Sequence, residues 1–141
     1  MKRIIVCGTR SFEDYKLMTK VLDKIIKDFG EDVEIVSGHA TGADSLGERY
    51  AKEHNLKCCV FEANWEKHGK KAGFLRNSQM LDYGSEIGIE NALVVAFWDG
   101  VSRGSLDTMK KAQRLKMPTK VCLYVPEDGV PVLIDYVYQE I

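Results

Sequence analysis

No run of apolar residues in this 141-residue chain exceeds the seven from Ala92 to Trp98, and a membrane-spanning helix needs about 20. The first apolar stretch, Ile4 to Cys7, is too short for the core of a secretory signal. Charge of one sign is missing as well. Twenty basic against 21 acidic residues leave a formal net charge of −1, so no overall basic field attracts nucleic acid regardless of its sequence. Any anionic ligand has to be caught locally. Cysteine is scarce: Cys7, Cys58, Cys59 and Cys122 all fall in apolar, strand-like runs, and none shows the CxxC spacing of a zinc site. They read as small buried hydrophobes in a reducing compartment. The expectation is a cytoplasmic protein with no disulfide framework, no metal and no membrane partner. There is also no linker, repeat or low-complexity segment, and 45% hydrophobic residues suffice for one core. One domain, residues 1–141, is expected.

The chain does have a regular alternation of two periodicities. Lys2 to Cys7 is a short apolar strand ended by Gly8; Leu17, Met18, Val21, Leu22, Ile25, Ile26 and Phe29 then follow helical spacing up to Gly30. Val33 to Ser37 predicts a second strand. A helix follows with the stripe Ala43, Leu46, Gly47, Tyr50 and Ala51, and Asn55 can cap its end. Lys57 to Glu62 predicts a third strand and Ala63 to Lys71 a loop. A weakly periodic helix is placed from about Ala72 to Tyr83. Ala92 to Trp98, the most apolar strand, reads as central. Leu106, Met109, Ala112 and Leu115 mark the next helix, which Pro118 blocks. Lys120 to Val125 is a fifth strand, Pro126, Asp128-Gly129 and Pro131 mark turns, and Val132 to Ile141 reads equally as strand or short helix. Four strand–helix alternations predict an α/β fold: a Rossmann-like open, mostly parallel sheet with right-handed crossovers and helices on both faces.

In such a sheet ligands bind beyond the carboxyl ends of the strands. The four loops expected at that edge each carry glycine with hydroxyl or guanidinium donors: Gly8-Thr9-Arg10-Ser11, Gly38 to Asp44, Trp65 to Asn77, and Asp99 to Ser105. Glycine lets backbone amides come close to a ligand, and the first turn of a helix offers unpaired N–H groups with partial positive charge. Arg10, Arg76 and Arg103 add forked donors that match phosphate oxygens. The set points to a phosphorylated ligand. Gly38 to Ser45 lacks the Walker lysine, and no GxGxxG follows the first strand, which demotes ATPase and hydride-transfer chemistry. Each loop alone has an ordinary structural explanation, such as a turn or a helix cap. Trp65 and Trp98 lie beside this edge as candidates for stacking on a base, and His39 and His68 as acid, base or phosphate donors.

At these loops the sequence resembles the SLOG superfamily, the Rossmann-like group that includes the Lonely Guy phosphoribohydrolases and the DNA-processing proteins called Smf or DprA. Within it the chain is most similar to the stand-alone YspA or cpYpsA-related group. The resemblance rests on Cys7 to Phe12, Ser37 to Asp44, the WxxHGxxAGxxRN pattern from Trp65 to Asn77, and Phe97 to Ser105. It implies a nucleotide or ADP-ribose-like ligand, no required cofactor, and relatives that hydrolyse nucleoside monophosphates or sense such signals in phage–bacterium conflict. For a phage-encoded chain it implies the host cytoplasm. It also favours a homodimer. The Lonely Guy enzymes use an arginine, which Arg76 matches, and a PGGxGTxxE loop, whose glycines Gly100 and Gly104 match. Ser105 stands at the Thr of that loop and Thr108 at its Glu.

An oxocarbenium-like sugar is normally stabilised by a carboxylate, and Thr108 has none. The leading expectation is therefore a binding protein. Its ligand-binding residues are expected to be Gly8, Thr9, Arg10, Ser11, Gly38, Thr41, Gly42 and Asp44, with Trp65, His68, Arg76 and Asn77, and with Gly100, Ser102, Arg103, Gly104 and Ser105. The alternative is a phosphoribohydrolase or related N-glycosidase with Arg76 and either Asp44 or Asp99 as catalytic residues. A third reading, a DprA-like module for single-stranded DNA, is disfavoured by the net charge.

Overall fold

The computed structural model describes residues 1–124 and 131–135. Strand β1 (Lys2–Gly8) leads to helix α1 (Tyr15–Phe29), β2 (Val33–Ser37) to α2 (Ala43–Glu53), and β3 (Lys57–Val60) to the one-turn helix α3 (Trp65–His68). A 3-10 turn, Gly69–Lys71, joins α3 to α4 (Ala72–Ser85), and a second, Ile89–Asn91, precedes β4 (Ala92–Trp98). Helix α5 (Arg103–Arg114), β5 (Thr119–Leu123) and β6 (Val132–Asp135) follow. The strands form one sheet in the order β3-β2-β1-β4-β5-β6; the first five are parallel and β6 runs antiparallel to β5. The α/β, Rossmann-like, mostly parallel architecture read from the sequence is the observed one. Among the described residues no helix is long and apolar enough to cross a membrane.

The alternation of side chains along β1 explains the two layers. Ile4 and Val6 face one core with Ile35, Leu93, Val95 and Phe97, covered by Met18, Leu22 and Ile25 of α1 and Tyr50 and Ala51 of α2. Ile5 and Cys7 face the other, with Val36, Val94 and Ala96, covered by Met80 and Leu81 of α4 and Met109 and Ala112 of α5. Chain order reverses between β1 and β4, which pair directly. That is the switch point at which a doubly wound sheet opens a crevice beyond its carboxyl edge. Helix α4 is held at its far end by Arg3, which lies over the Tyr83 ring at 3.6 Å and pairs with Glu34 at 3.2 Å.

Three expectations are corrected. The segment Ala63 to Lys71 is not a plain loop: the Asn64 side chain accepts from the Lys67 amide at 3.0 Å and starts α3. β3 ends at Val60, and because it is an edge strand Cys58 is exposed and Cys59 half-buried, unlike buried Cys7 and Cys122. The weak periodicity of α4 has a plain cause: Phe74 and Leu75 are exposed while Asn77 is buried. Asn55 (φ 55°) takes the left-handed position after α2, where the Leu56 amide reaches back to Ala51 at 2.9 Å in a Schellman closure. Val132 to Asp135 settles as strand. The end of the predicted fifth strand at Val125, the turns at Pro126 and Asp128-Gly129, and the tail from residue 136 lie outside the described residues.

Candidate functional site

The junctions after β1, β2 and β4 and the start of α4 meet around a cavity of about 400 Å³. Gly8, Thr9, Arg10 and Ser11 line it from the β1 side, Asp44 from α2, Arg76 and Asn77 from α4, and Ser102, Gly104 and Ser105 from α5. A second cavity of about 300 Å³ adjoins it, lined by Gly38, Thr41, Trp65, His39 and Glu62. Arg10, Ala40 and Arg76 belong to both. The two arginines thus stand on the divide. Among the described residues, Gly42, His68, Asp99, Gly100 and Arg103 line neither.

Backbone chemistry builds the first cavity. Thr9 ties its loop down: its amide donates to Phe97 O at 2.9 Å, and its carbonyl accepts from Phe12 and Ala43. Gly42 (φ 80°) begins α2 in a conformation that L side chains rarely adopt, and a Cβ there would lie 2.3 Å from Arg10 O. Neither α2 nor α5 receives a side-chain cap. The amides of their first turns therefore supply partial positive charge where Asp44, Gly104 and Ser105 line the cavity.

Arg76 is held by a chain of contacts. Its Nη1 donates to Gly38 O and its Nε to Asn77 Oδ1 at 2.9 Å. Asn77 Nδ2 in turn donates to Asp107 Oδ2 at 3.1 Å, and Lys111 Nζ pairs with that same oxygen at 2.9 Å. Asn77, 4% exposed, is thus engaged in orienting Arg76. Gly38 leaves room for the guanidinium, since a Cβ would come within 2.8 Å of Nη1. Burial lowers the Arg76 pKa, while the Asp44 charge acts the other way. Among the described residues no hydrogen bond or ion pair engages the Arg10 side chain, which is exposed at the divide.

Two carboxylates that look equivalent in sequence differ here. Asp44 is 5% exposed, and burial pushes its carboxyl up to about 6 against the opposing effects of the Ala40 amide, which it accepts at 3.2 Å, and of Arg76. It is an acid poised near neutrality inside the cavity. Partial burial would also raise Asp99, but the amides of Ser102 and Val101, each at 2.9 Å from Oδ1, outweigh it and keep that carboxyl below its ordinary value. Asp99 folds its own loop. Arg103, one residue before the lining Gly104, is exposed on the outside of α5, and His68 is exposed at the end of α3. Trp98 donates from Nε1 to Ser102 O at 3.0 Å and, half-buried, packs against the core.

The sequence reading did not count several lining residues among the ligand-binding ones. Cys7 and Met80 line the first cavity, as does Thr108, which stands at the position of the Lonely Guy glutamate. Burial raises the Cys7 thiol, with Asp44 adding to the effect, so it remains a neutral wall. Thr108 Oγ1 has only a 3.4 Å contact to Gly104 O. Glu48 accepts from Ser37 Oγ at 2.8 Å and pairs with His39 Nδ1 at 3.0 Å, a contact that raises the His39 pKa. Glu48 follows Asp44 by one helical turn, so the i, i+4 spacing carried that signal. Among the described residues no group of three or more His, Cys, Asp or Glu is placed to hold a metal ion.

Residues 2–68 match the YspA, cpYpsA-related SLOG family. The gene 61 protein of Mycobacterium phage D29 is 31% identical over 123 residues, covering 84% of this chain and 94% of that protein. In fold, the chain is similar to DNA processing protein A of Streptococcus pneumoniae, with a TM-score of 0.56 and 19% identity over 90% of the chain. The chain spans about half, 52%, of that structure. With a match to the family over residues 2–68 and a relative 31% identical over 84% of the chain, this chain belongs to the YspA, cpYpsA-related SLOG family.

Proposed function

We propose that this protein binds a phosphorylated nucleotide or nucleotide derivative of the ADP-ribose class, with phosphate in the first cavity against Arg10 and Arg76. One observation carries the reading: two arginines and the uncapped first turns of α2 and α5 converge on a single cavity at the switch point of the sheet. Charge-assisted hydrogen bonds contribute about 1.5–3 kcal/mol each, against an association cost of roughly 4–15 kcal/mol. Phosphate contacts alone therefore bind weakly, and ribose contacts from Asp44, Ser102 and Ser105 complete the site. The relative from a phage fits a place in the host cytoplasm, where such binding would serve sensing or sequestering of the ligand. Calorimetry with AMP, ADP-ribose and NAD tests the reading. Binding that Arg76→Ala weakens at least about tenfold is expected, and no heat from any of the three rejects it.

Asp44 favours a second reading, N-glycosidic hydrolysis of such a nucleotide. A buried carboxyl with a pKa near 6 beside an arginine is suited to general acid–base work. Water would add across the bond, its hydroxyl to the sugar carbon and its proton to the leaving base. Release of free base from AMP or NAD, lost in both Asp44→Asn and Arg76→Ala, would put this reading first. Intact ligand after prolonged incubation at high protein concentration removes it.

A further inference from the structure

We infer that the second cavity is a subsite for a second planar, hydroxyl- or amine-bearing group of the ligand. The site then prefers nucleotides with two arms joined by a diphosphate over nucleoside monophosphates. The inference rests on the phosphate reading above and extends it. The two cavities share Arg10 and Arg76, so a diphosphate at the divide meets two forked donors and sends one arm to each side. Neither cavity alone is large for a ligand pocket, typically about 300–1,000 Å³, whereas together they reach the middle of that range.

The walls differ in chemistry. Hydroxyls, backbone and Asp44 dominate the first cavity, and among the described residues no aromatic ring lines it. The second carries Trp65, 51% exposed, with an indole that packs beside Gly73 and leaves much of its surface open. Opposite chemistry for recognition comes from His39 and Glu62, whose Nε2 and Oε1 stand 3.6 Å apart. That separation is too long for a good direct hydrogen bond and admits a hydroxyl or amine that bridges the pair. His39 is fixed for this task. Its backbone lies in the left-handed region (φ 59°), uncommon for a residue other than glycine; its amide donates to Ser37 Oγ, and Glu48, which accepts from that hydroxyl, holds the ring at Nδ1.

Calorimetry of the full chain with AMP, ADP-ribose and NAD, in wild type, Trp65→Ala and Trp65→Phe, tests the inference. NAD, whose second arm carries a planar ring, is expected to bind at least about tenfold tighter than AMP, and tighter than ADP-ribose, whose second arm is a bare ribose. Trp65→Ala should erase most of that advantage, within the roughly fivefold to hundredfold range of a base–aromatic stack, while leaving AMP unchanged; Trp65→Phe should restore it. Equal affinity for AMP and the two-armed ligands, or a loss on Trp65→Ala shared by AMP, overturns the subsite and leaves the phosphate reading standing. Absence of binding by all three overturns both.

Discussion

The two junctions that share the first cavity, Gly38 to Asp44 before α2 and Asp99 to Ser105 before α5, have similar composition and opposite construction. Each provides glycine, a hydroxyl and one aspartate. Before α2 the glycine is locked: Gly42 sits at φ 80° with the Arg10 carbonyl where a Cβ would go. Before α5, Gly104 has open space around it. Asp44 faces the cavity with one amide for company, whereas Asp99 is turned onto the amides of its own loop. A carboxylate that satisfies local N–H groups stabilises the fold and is chemically idle; one deprived of them is costly to bury and available for chemistry.

Substitutions that break this contrast should differ in size and sign. Gly42→Ala should have the largest effect, at least about 1–3 kcal/mol of destabilisation from backbone strain, with the clash at Arg10 adding to it. Gly104→Ala should leave stability unchanged or raise it by up to about 1 kcal/mol through helix propensity. Urea unfolding of the two variants reads the difference directly.

The aspartates give the next largest effect, through pH. The folded Asp44 carboxyl lies near 6, above its ordinary 3.8. Between those values the native protein keeps a proton that the unfolded chain has lost, so stability falls as pH rises through the window and the full cost is present at neutral pH. Asp44→Asn should therefore stabilise the unliganded protein at pH 7, by up to roughly 3 kcal/mol, and should leave it unchanged below about pH 3.5. Asp99, with its pKa lowered, has the opposite sign: its contribution is present above its unfolded pKa and fades as pH falls through the folded one. Asp99→Ala should cost about 1 kcal/mol at pH 7 and less in acid. Thermal melts from pH 3 to 8 separate the two. The smallest effect belongs to Thr108→Val, under about 1 kcal/mol, because its 3.4 Å contact to Gly104 O is a weak one.

How much of this was readable in advance follows from what kind of information each feature needs. β1, β2 and β4 announce themselves because they are buried on both faces and so are written as unbroken apolar runs. α1 is equally plain, with one face on the core. β3 was over-extended because an apolar text does not reveal an edge position, and Cys58 is exposed for that reason. Topology pointed to a crevice beyond the carboxyl edge, and Arg10 and Arg76 both line the cavities found there. Arg103 does not join them: it is exposed at the start of α5 and lines neither cavity, although Gly104 beside it lines the first. The separate fates of Asp44 and Asp99 depend on where a few amides point, which spacing does not encode. Asp107, beside position 108 on α5, accepts from the Asn77 side-chain amide and so holds it behind Arg76.

The central claim is that phosphate sits in the first cavity, where it borders the second at Arg10 and Arg76, among the β1 loop and the first turns of α2 and α5. Amide ¹H–¹⁵N NMR during titration with ADP-ribose tests it most directly. The largest shifts should fall on Gly8 to Ser11, Asp44, Gly104 and Ser105, and should vanish in Arg76→Ala. Shifts centred instead on the apolar hollow at the opposite edge, around Ile25, Leu93 and Leu133, would contradict it.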